Sequence, residues 1–159
     1  MDKQNAIEHT TNTINTEQSL YERDFYQWGL HNAELLRQGK FAAIDVENIA
    51  EELESMSKRD KAKLASRLSV LIMHLLKWQY QPKRRSRSWN LTITTQRAEI
   101  KRLLKNSPSL NYNIETVVKE EFIIAKRMFE DQTGISKKTL PEICPYSFEQ
   151  LSDYDFLPE

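Results

Sequence analysis

The segment from Ser57 to Trp89 limits the folds open to this chain more than any other part of the sequence. It begins as a charged helical pattern and becomes apolar on nearly every side between Leu68 and Leu76. A helix that is apolar all round has to lie inside a protein, because none of its faces is suited to water. Pro82 should end this helix, since its ring and its missing N–H do not fit an interior helical turn. The sequence therefore predicts a central buried helix over residues 57–81.

The composition of the chain favours an all-α fold. Its 159 residues include only three Gly and five Pro, which is few for an all-β chain of this length. We predict a single-domain helical bundle over residues 19–159, with about five main helices and a C-terminal extended wrap. Residues 1–18 are polar and have no apolar periodicity, so a disordered N-terminal tail is expected. A single cysteine, Cys144, cannot form an internal disulfide and indicates a reducing, cytoplasmic location.

The helix boundaries are predicted from apolar periodicity and from residues that begin or end helices. The five helices run from about Leu20 to Gln38, Asp45 to Met56, Ser57 to Gln81, Trp89 to Leu104 and Asn111 to Thr133. Gly39 and Gly134 occupy positions where helices commonly end. The pair Ser57 and Asp60 favours a break between the second and third helices, with one continuous helix as the alternative. A short helical turn is expected at residues 147–151, within the C-terminal wrap.

The same periodicity predicts which side chains face the core. On the first two helices, the expected core-facing residues are Tyr21, Phe25, Trp28, Asn32, Leu36, Val46, Ile49, Leu53 and Met56. On the fifth helix they are Ile114, Val117, Val118, Ile124, Ala125 and Met128. Four glutamates, Glu47, Glu51, Glu52 and Glu54, decorate the second helix without a basic residue among them.

Charge is segregated along the chain although the net charge is zero. Residues 77–105 contain nine Lys or Arg and one Glu, whereas residues 139–159 contain five acids and no base. The acidic C-terminal residues could neutralise the basic segment within the same chain. That arrangement competes with the hypothesis that the basic segment binds a nucleic acid.

The end of the central helix interleaves basic and aromatic side chains, and we predict that it is a binding surface. The predicted binding residues are Lys77, Trp78, Tyr80, Lys83, Arg84, Arg85, Arg87, Trp89 and Arg97. Such residues can neutralise phosphates and stack on unpaired bases. They can equally dock the acidic tail in cis or an acidic partner in trans. A membrane surface is disfavoured because the aromatic residues alternate with charge.

Several polar residues fall on helix faces that are otherwise apolar. They are Glu52, Arg67, His74, Gln96, Arg97 and Glu121. Buried ionisable groups are costly unless they are paired, so these residues should form an internal salt-bridge network or line a pocket. In the pocket interpretation the catalytic candidates are His74, Arg67, Glu52 and Glu121. Glu52, Glu121 and His74 could also hold a divalent metal, but the Glu-x-x-His pattern of di-iron bundles is absent, so we expect neither a metal nor a cofactor.

The spacing of Arg67 and His74 matches a pattern found in helical ribonucleases of the higher-eukaryote-and-prokaryote nucleotide-binding type. Six residues separate the two. A random chain of this composition would contain about 0.6 such matches, so the spacing adds little on its own.

Three segments, EELESM, SRLSVLIMHLLKWQYQPKRRSRSW and CPYSFEQLSDYDFLP, resemble a bacterial family described as domain of unknown function number 29, which is common in cyanobacteria. The resemblance extends from about Tyr21 to Pro158. It implies an all-α bundle of cytoplasmic proteins, and it implies no activity and no catalytic residue.

The sequence favours a nonenzymatic macromolecular-interaction module that uses the basic and aromatic connector. Its expected partner is a protein or a second copy of the chain, with nucleic acid as the second choice and no membrane. The alternative is a nucleic-acid-binding or ribonuclease-like enzyme in which His74 is the acid or base and Arg67 or Arg85 binds phosphate.

Overall fold

The computed structural model describes residues 19–159, and the predicted disordered tail at residues 1–18 lies outside them. The described residues form helices and no strand, which confirms the all-α prediction. The helices are α1 (Leu20–Arg23), α2 (Phe25–Arg37), α3 (Val46–Tyr80), α4 (Arg87–Asn106), α5 (Ile114–Thr133) and α6 (Phe148–Ser152). Short 3₁₀ turns occur at Phe41–Ala43, Pro82–Arg84, Pro108–Asn111 and Lys137–Thr139.

The chain divides into two compact units, and the boundary falls within α3. The first unit ends at Glu52 and the second extends from Leu53 to Glu159.

Helix α3 is continuous for 35 residues, so the break favoured at Ser57 is absent. The Ser57 hydroxyl donates to the carbonyl oxygen of Leu53 at 3.1 Å instead of capping a new helix. Asp60 pairs with Lys63 at 3.5 Å on the helix surface. The Ser-x-x-Asp pattern is therefore compatible with a helix interior, where each side chain has a local partner. The bundle has four long helices, because the second and third predicted helices are one.

A polar network organises the first unit between α2 and the start of α3. Asp45 accepts a hydrogen bond from the indole N–H of Trp28 at 2.9 Å and another from the backbone N–H of Asn48 at 3.3 Å. The Asp45 N–H donates to the side-chain oxygen of Asn32 at 2.8 Å. The Asn48 bond is the cap that the sequence predicts for this helix. Gly39, at φ 68°, follows α2 in the left-handed conformation expected after a helix end.

Several residues predicted to face the core of the first two helices are exposed, which corrects the sequence-based assignment. On α2 only Trp28 and Asn32 are buried, while Phe25 and Leu36 are exposed. On α3 the exposed residues are Val46, Leu53 and Met56. The physical reason in the first unit is size, since so short a segment has little other structure with which to cover two apolar helix faces.

The core of the second unit surrounds the middle of α3, as predicted. Its fully buried side chains include Leu64, Leu68, Leu71, Ile72, Met73, Leu75 and Leu76 of α3 and Ile93 of α4. On α5 the buried positions are Ile114, Val118, Phe122, Ala125 and Phe129. Ile124 is exposed, contrary to prediction, because the α5 face is centred on its two phenylalanines. The C-terminal residues contribute Leu140, Tyr146 and Leu151, and α6 is the predicted short turn.

Candidate functional site

A connector of six residues, from Gln81 to Ser86, joins the end of α3 to the start of α4. Pro82 begins a 3₁₀ turn in which the Arg84 N–H donates to the Gln81 carbonyl oxygen at 2.9 Å. Ser86 then caps α4 by accepting from the Trp89 N–H at 3.3 Å. Both ends of the connector are therefore fixed by hydrogen bonds, and it has a defined conformation.

Arg85 is bound within the chain. Its Nε donates to the carbonyl oxygen of Trp78 at 2.9 Å, and its guanidinium lies 5.3 Å from the Trp78 ring centroid. A third contact joins the guanidinium to the carbonyl oxygen of Pro158 at 3.5 Å. Arg85 and Trp78 thus link the connector to the C-terminal wrap.

Lys77 and Trp89 form a second basic and aromatic pair. The Lys77 Nζ lies 4.4 Å from the Trp89 ring centroid and donates to the Gln132 side-chain oxygen at 3.0 Å. Burial lowers the pKa of Lys77, and the nearby positive charge of Arg84 lowers it further. Tyr80 remains 37% exposed, with its ring edge-on to Phe129.

Arg97 is buried and binds the backbone of the C-terminal wrap. It donates to four carbonyl oxygens, those of Leu151 at 2.9 Å, Phe156 at 2.8 Å, Gln150 at 3.3 Å and Tyr154 at 3.4 Å. Burial lowers the pKa of Arg97, while the charges of Asp153 and Asp155 act in the opposite direction. The guanidinium therefore holds the last turn of the chain in place and is not accessible to a partner.

Three exposed basic residues among the predicted binding residues, Lys83, Arg84 and Arg87, have side chains that bind no other described residue, and we call them the basic patch. Within residues 19–159 none of them forms an ion pair. The first turn of α4, which contains Arg87, has no acidic residue. The positive end of the helix dipole therefore adds to the positive charge of the basic patch. The C-terminal wrap approaches this region through backbone carbonyl groups, and within the described residues its carboxylates form no ion pair with the connector.

The catalytic candidates Arg67 and His74 each have a partner of their own. Arg67 donates to the Gln96 side-chain oxygen at 3.3 Å and lies 4.0 Å from the Glu99 carboxylate. The Nδ1 of His74 is 2.9 Å from the carbonyl oxygen of Val70. Because a carbonyl oxygen only accepts, this nitrogen carries the proton. Burial lowers the pKa of His74 and so favours the neutral ring.

The two acidic candidates each lie near a hydroxyl group. Glu52 lies in the first unit, where it accepts a hydrogen bond from the Tyr21 hydroxyl at 2.7 Å. That bond is the main reason why the pKa of Tyr21 is raised to about 12. Burial raises the pKa of Glu121, and the nearby Ser69 hydroxyl acts in the opposite direction. Within residues 19–159 Glu121 takes part in no ion pair, so it does not belong to an internal salt-bridge network.

The described residues include no group of three or more His, Cys, Asp or Glu side chains arranged to hold a metal ion. None of the helices described is both long and apolar enough to cross a membrane.

The comparisons with known proteins give the family of this chain. A family model described as "Domain of unknown function DUF29" matches residues 20–157, a range that contains all six helices. The chain belongs to this family. No curated protein and no solved structure matches it. The DUF29 match ends one residue before Pro158, so the C-terminal wrap bound by Arg97 is part of the family domain.

Two features of this DUF29 domain were not found from the sequence. The Tyr146 hydroxyl donates to the side-chain oxygen of Gln79 at 2.7 Å, a contact between residues 67 positions apart. No local pattern marks such a pair. The other feature is the exposed apolar face of α2, around Tyr26 and Leu30. A signal for it was present, because Tyr26, Leu30 and Ala33 have helical spacing outside the predicted core-facing set.

Proposed function

We propose that this chain is a nonenzymatic interaction module that binds an acidic surface of a protein partner through the basic patch. The observation that carries the proposal is the division of the predicted binding residues into two groups. The side chains of Arg85, Lys77 and Arg97 are held by hydrogen bonds within the chain. The exposed side chains of Lys83, Arg84 and Arg87 form neither a hydrogen bond nor an ion pair with the described residues.

The contacts within the chain prepare the basic patch for binding. The connector is fixed by the Arg85 contacts on one side and by the Ser86 cap of α4 on the other. A segment that is already ordered loses less conformational entropy when a partner binds. Trp78 and Trp89, which flank the connector, therefore support the surface, and the exposed cations provide its charge.

The exposed side chains favour an acidic protein surface over a single-stranded nucleic acid. Nucleic-acid binding of that kind needs accessible aromatic rings on which bases stack. Trp78 and Trp89 are partly buried and each has a cation over its ring. Three aromatic residues flank the connector, Trp78, Tyr80 and Trp89. Of these only Tyr80 is exposed, and its ring also contacts Phe129.

The ribonuclease-like alternative depends on Arg67 and His74 acting together. Arg67 and His74 are seven residues apart, which corresponds to about 10 Å along the helix axis. That distance is larger than a single phosphate group can bridge. Arg67 is bound to Gln96, and the Nδ1 of His74 is used by a backbone carbonyl. The arrangement supports helix packing better than it supports acid–base chemistry.

The proposal takes residues 19–159 as one binding module that works in a reducing, cytoplasmic compartment. Cys144 is a free thiol, and burial raises its pKa, so the reactive thiolate is disfavoured.

Binding titrations test the proposal with two probes of equal charge. A fluorescent polyglutamate peptide represents an acidic protein surface, and a single-stranded oligouridylate represents a nucleic acid. Fluorescence anisotropy is measured at low and at moderate salt for the wild type and for the triple variant Lys83→Ala, Arg84→Ala, Arg87→Ala. We expect salt-sensitive peptide binding that the triple variant loses, because three charges at the contact surface are removed.

The matched control is Lys61→Ala, Lys119→Ala, Lys138→Ala, which removes the same charge from exposed residues elsewhere. It should bind the peptide as the wild type does. If both triple variants lost peptide binding equally, net charge alone would drive binding, and the basic patch would not be the binding site. Stronger binding to oligouridylate, with a salt slope reduced by about 2 in the patch variant, would instead identify a nucleic-acid-binding protein. Cleavage of that RNA, abolished by His74→Ala, would favour the enzyme.

A further inference from the structure

Helix α2 has a second apolar face that the rest of residues 19–159 leaves exposed. Tyr26 is 77% exposed and Leu30 is 56% exposed, and they are four residues apart on the same side of the helix. At 100° per residue, Ala33 lies between Tyr26 and Gly29 on the helical wheel, and Gly29 and Phe25 extend the face toward the buried side. The remaining side of the helix carries polar side chains, namely Gln27, His31, Glu34 and Gln38. The exposed face is thus continuous over three turns.

Exposed apolar residues are concentrated in the first unit. Six of the fifteen large apolar side chains that are exposed belong to the 34 described residues of the first unit, and nine belong to the 107 residues of the second. Their density is about twice as high in the first unit. A contiguous apolar face of this kind marks a contact surface more often than an ordinary solvent surface.

Gly29 is consistent with a helix packed closely against this face. A glycine inside a helix is less favourable than alanine by about 1 kcal/mol, so its position near the middle of α2 needs a compensating contact. A Cβ atom added at Gly29 would meet nothing within 4 Å, so no other segment of the described residues makes that contact. A partner helix could approach the α2 backbone there.

The charges at the two ends of α2 indicate which partner fits. At its amino-terminal end, Glu22, Arg23 and Asp24 sum to one negative charge, and at its carboxyl end, Glu34, Arg37 and Lys40 sum to one positive charge. When two copies of α2 lie antiparallel, the acidic end of each helix is next to the basic end of the other. Their helix dipoles then point in opposite directions, which is also favourable. Arg37 is free to take part, because its pair with Glu34 at 3.7 Å is solvent-exposed and weak.

We propose that α2 pairs antiparallel with α2 of a second copy of this chain, through Tyr26 and Leu30 at the centre and opposite charges at the ends. The pairing uses a surface other than the basic patch, so it stands whether or not the patch binds a partner. A three-turn helix face is smaller than a standard protein interface, so the dimer should dissociate in the micromolar range.

Sedimentation equilibrium of the full chain over a range of concentrations tests this proposal. The variants Tyr26→Ala and Leu30→Ala should each raise the dimer dissociation constant at least about tenfold, because they remove the centre of the apolar contact. The matched controls are Tyr112→Ala and Leu91→Ala, at side chains that are 92% and 66% exposed in the second unit. They should leave the dissociation constant unchanged, and circular dichroism should show that all four variants are folded.

Charge reversal tests the antiparallel orientation. Arg37→Glu alone and Glu22→Lys alone should each weaken the dimer, because each places like charges together. The two changes combined should restore the dissociation constant to within about threefold of the wild type. A chain that is monomeric at all concentrations, or a dimer that Tyr26→Ala and Leu30→Ala do not weaken, would overturn the proposal. Failure of the double variant to recover would overturn the antiparallel arrangement.

Discussion

Arg97 shows how a single buried residue fixes the end of the chain. Its guanidinium replaces water as the partner of four carbonyl groups, at Leu151, Gln150, Tyr154 and Phe156. The sequence predicts that Arg97 lies on an inward face of its helix. It does not show that its hydrogen-bond partners are backbone carbonyl groups 53 to 59 residues later in the chain. Only the path of the C-terminal wrap decides that contact.

Replacing Arg97 by alanine should therefore destabilise the protein by about 3 kcal/mol, because buried carbonyl groups lose their donors. Arg97→Lys should recover only part of this loss, since an ammonium group cannot reach four acceptors in different directions. Urea denaturation measures both effects. Arg102→Ala is the control, because Arg102 is on the same helix and its pair with Glu99 is exposed. Equal destabilisation by both alanine variants would contradict the role given to Arg97.

Glu121 provides a pH prediction with a definite sign. Burial raises its pKa in the folded protein above the ordinary value of 4.5, so the folded state binds more protons than the unfolded state in the interval between the two values. Stability is then lost as the pH rises through that interval. Glu121→Gln removes the charge and can still interact with Ser69. We expect the variant to be more stable than the wild type at pH 7 and about equally stable at pH 4, as measured by urea denaturation. A variant that is less stable at pH 7 would show that the Glu121 charge is favourable.

At the level of helices, the sequence predicted the central helix well because its apolar residues leave no solvent face. The end of α3 before Pro82 and the turn after Gly134 are also set by local chemistry. The break at Ser57 was wrong, because a Ser-x-x-Asp pattern fits a helix start and a helix interior equally. The prediction that Phe25 and Leu36 are buried was wrong for another reason. Whether an apolar helix face is buried depends on which other element covers it, and the residues of the face do not decide this.

A proline placed after Ser57 distinguishes the two descriptions of α3. At the first position of a new helix, Lys58→Pro would be tolerated. In the interior of a continuous helix it removes a hydrogen bond and clashes with the preceding turn, so it should cost about 3 kcal/mol or more. Chemical denaturation of Lys58→Pro beside Lys58→Ala gives the difference. Equal stability of the two variants would show that α3 is broken at Ser57.

At the scale of the whole molecule, the segregated charges have different roles. The basic segment of residues 77–105 includes cations bound within the chain, among them Arg97, and the exposed cations of the basic patch. Composition predicted the segregation but not this division, because the division follows from contacts with the C-terminal wrap and with α5. The account of function depends on the exposed group.

Mapping a binding surface by NMR tests this central claim most directly. Backbone amide signals of the labelled full chain are recorded during titration with the polyglutamate peptide. We predict shifts concentrated at residues 83–88, with the signals around Arg67 and His74 unchanged. Shifts centred on Arg67 and His74, or none at the basic patch while the peptide binds, would contradict it.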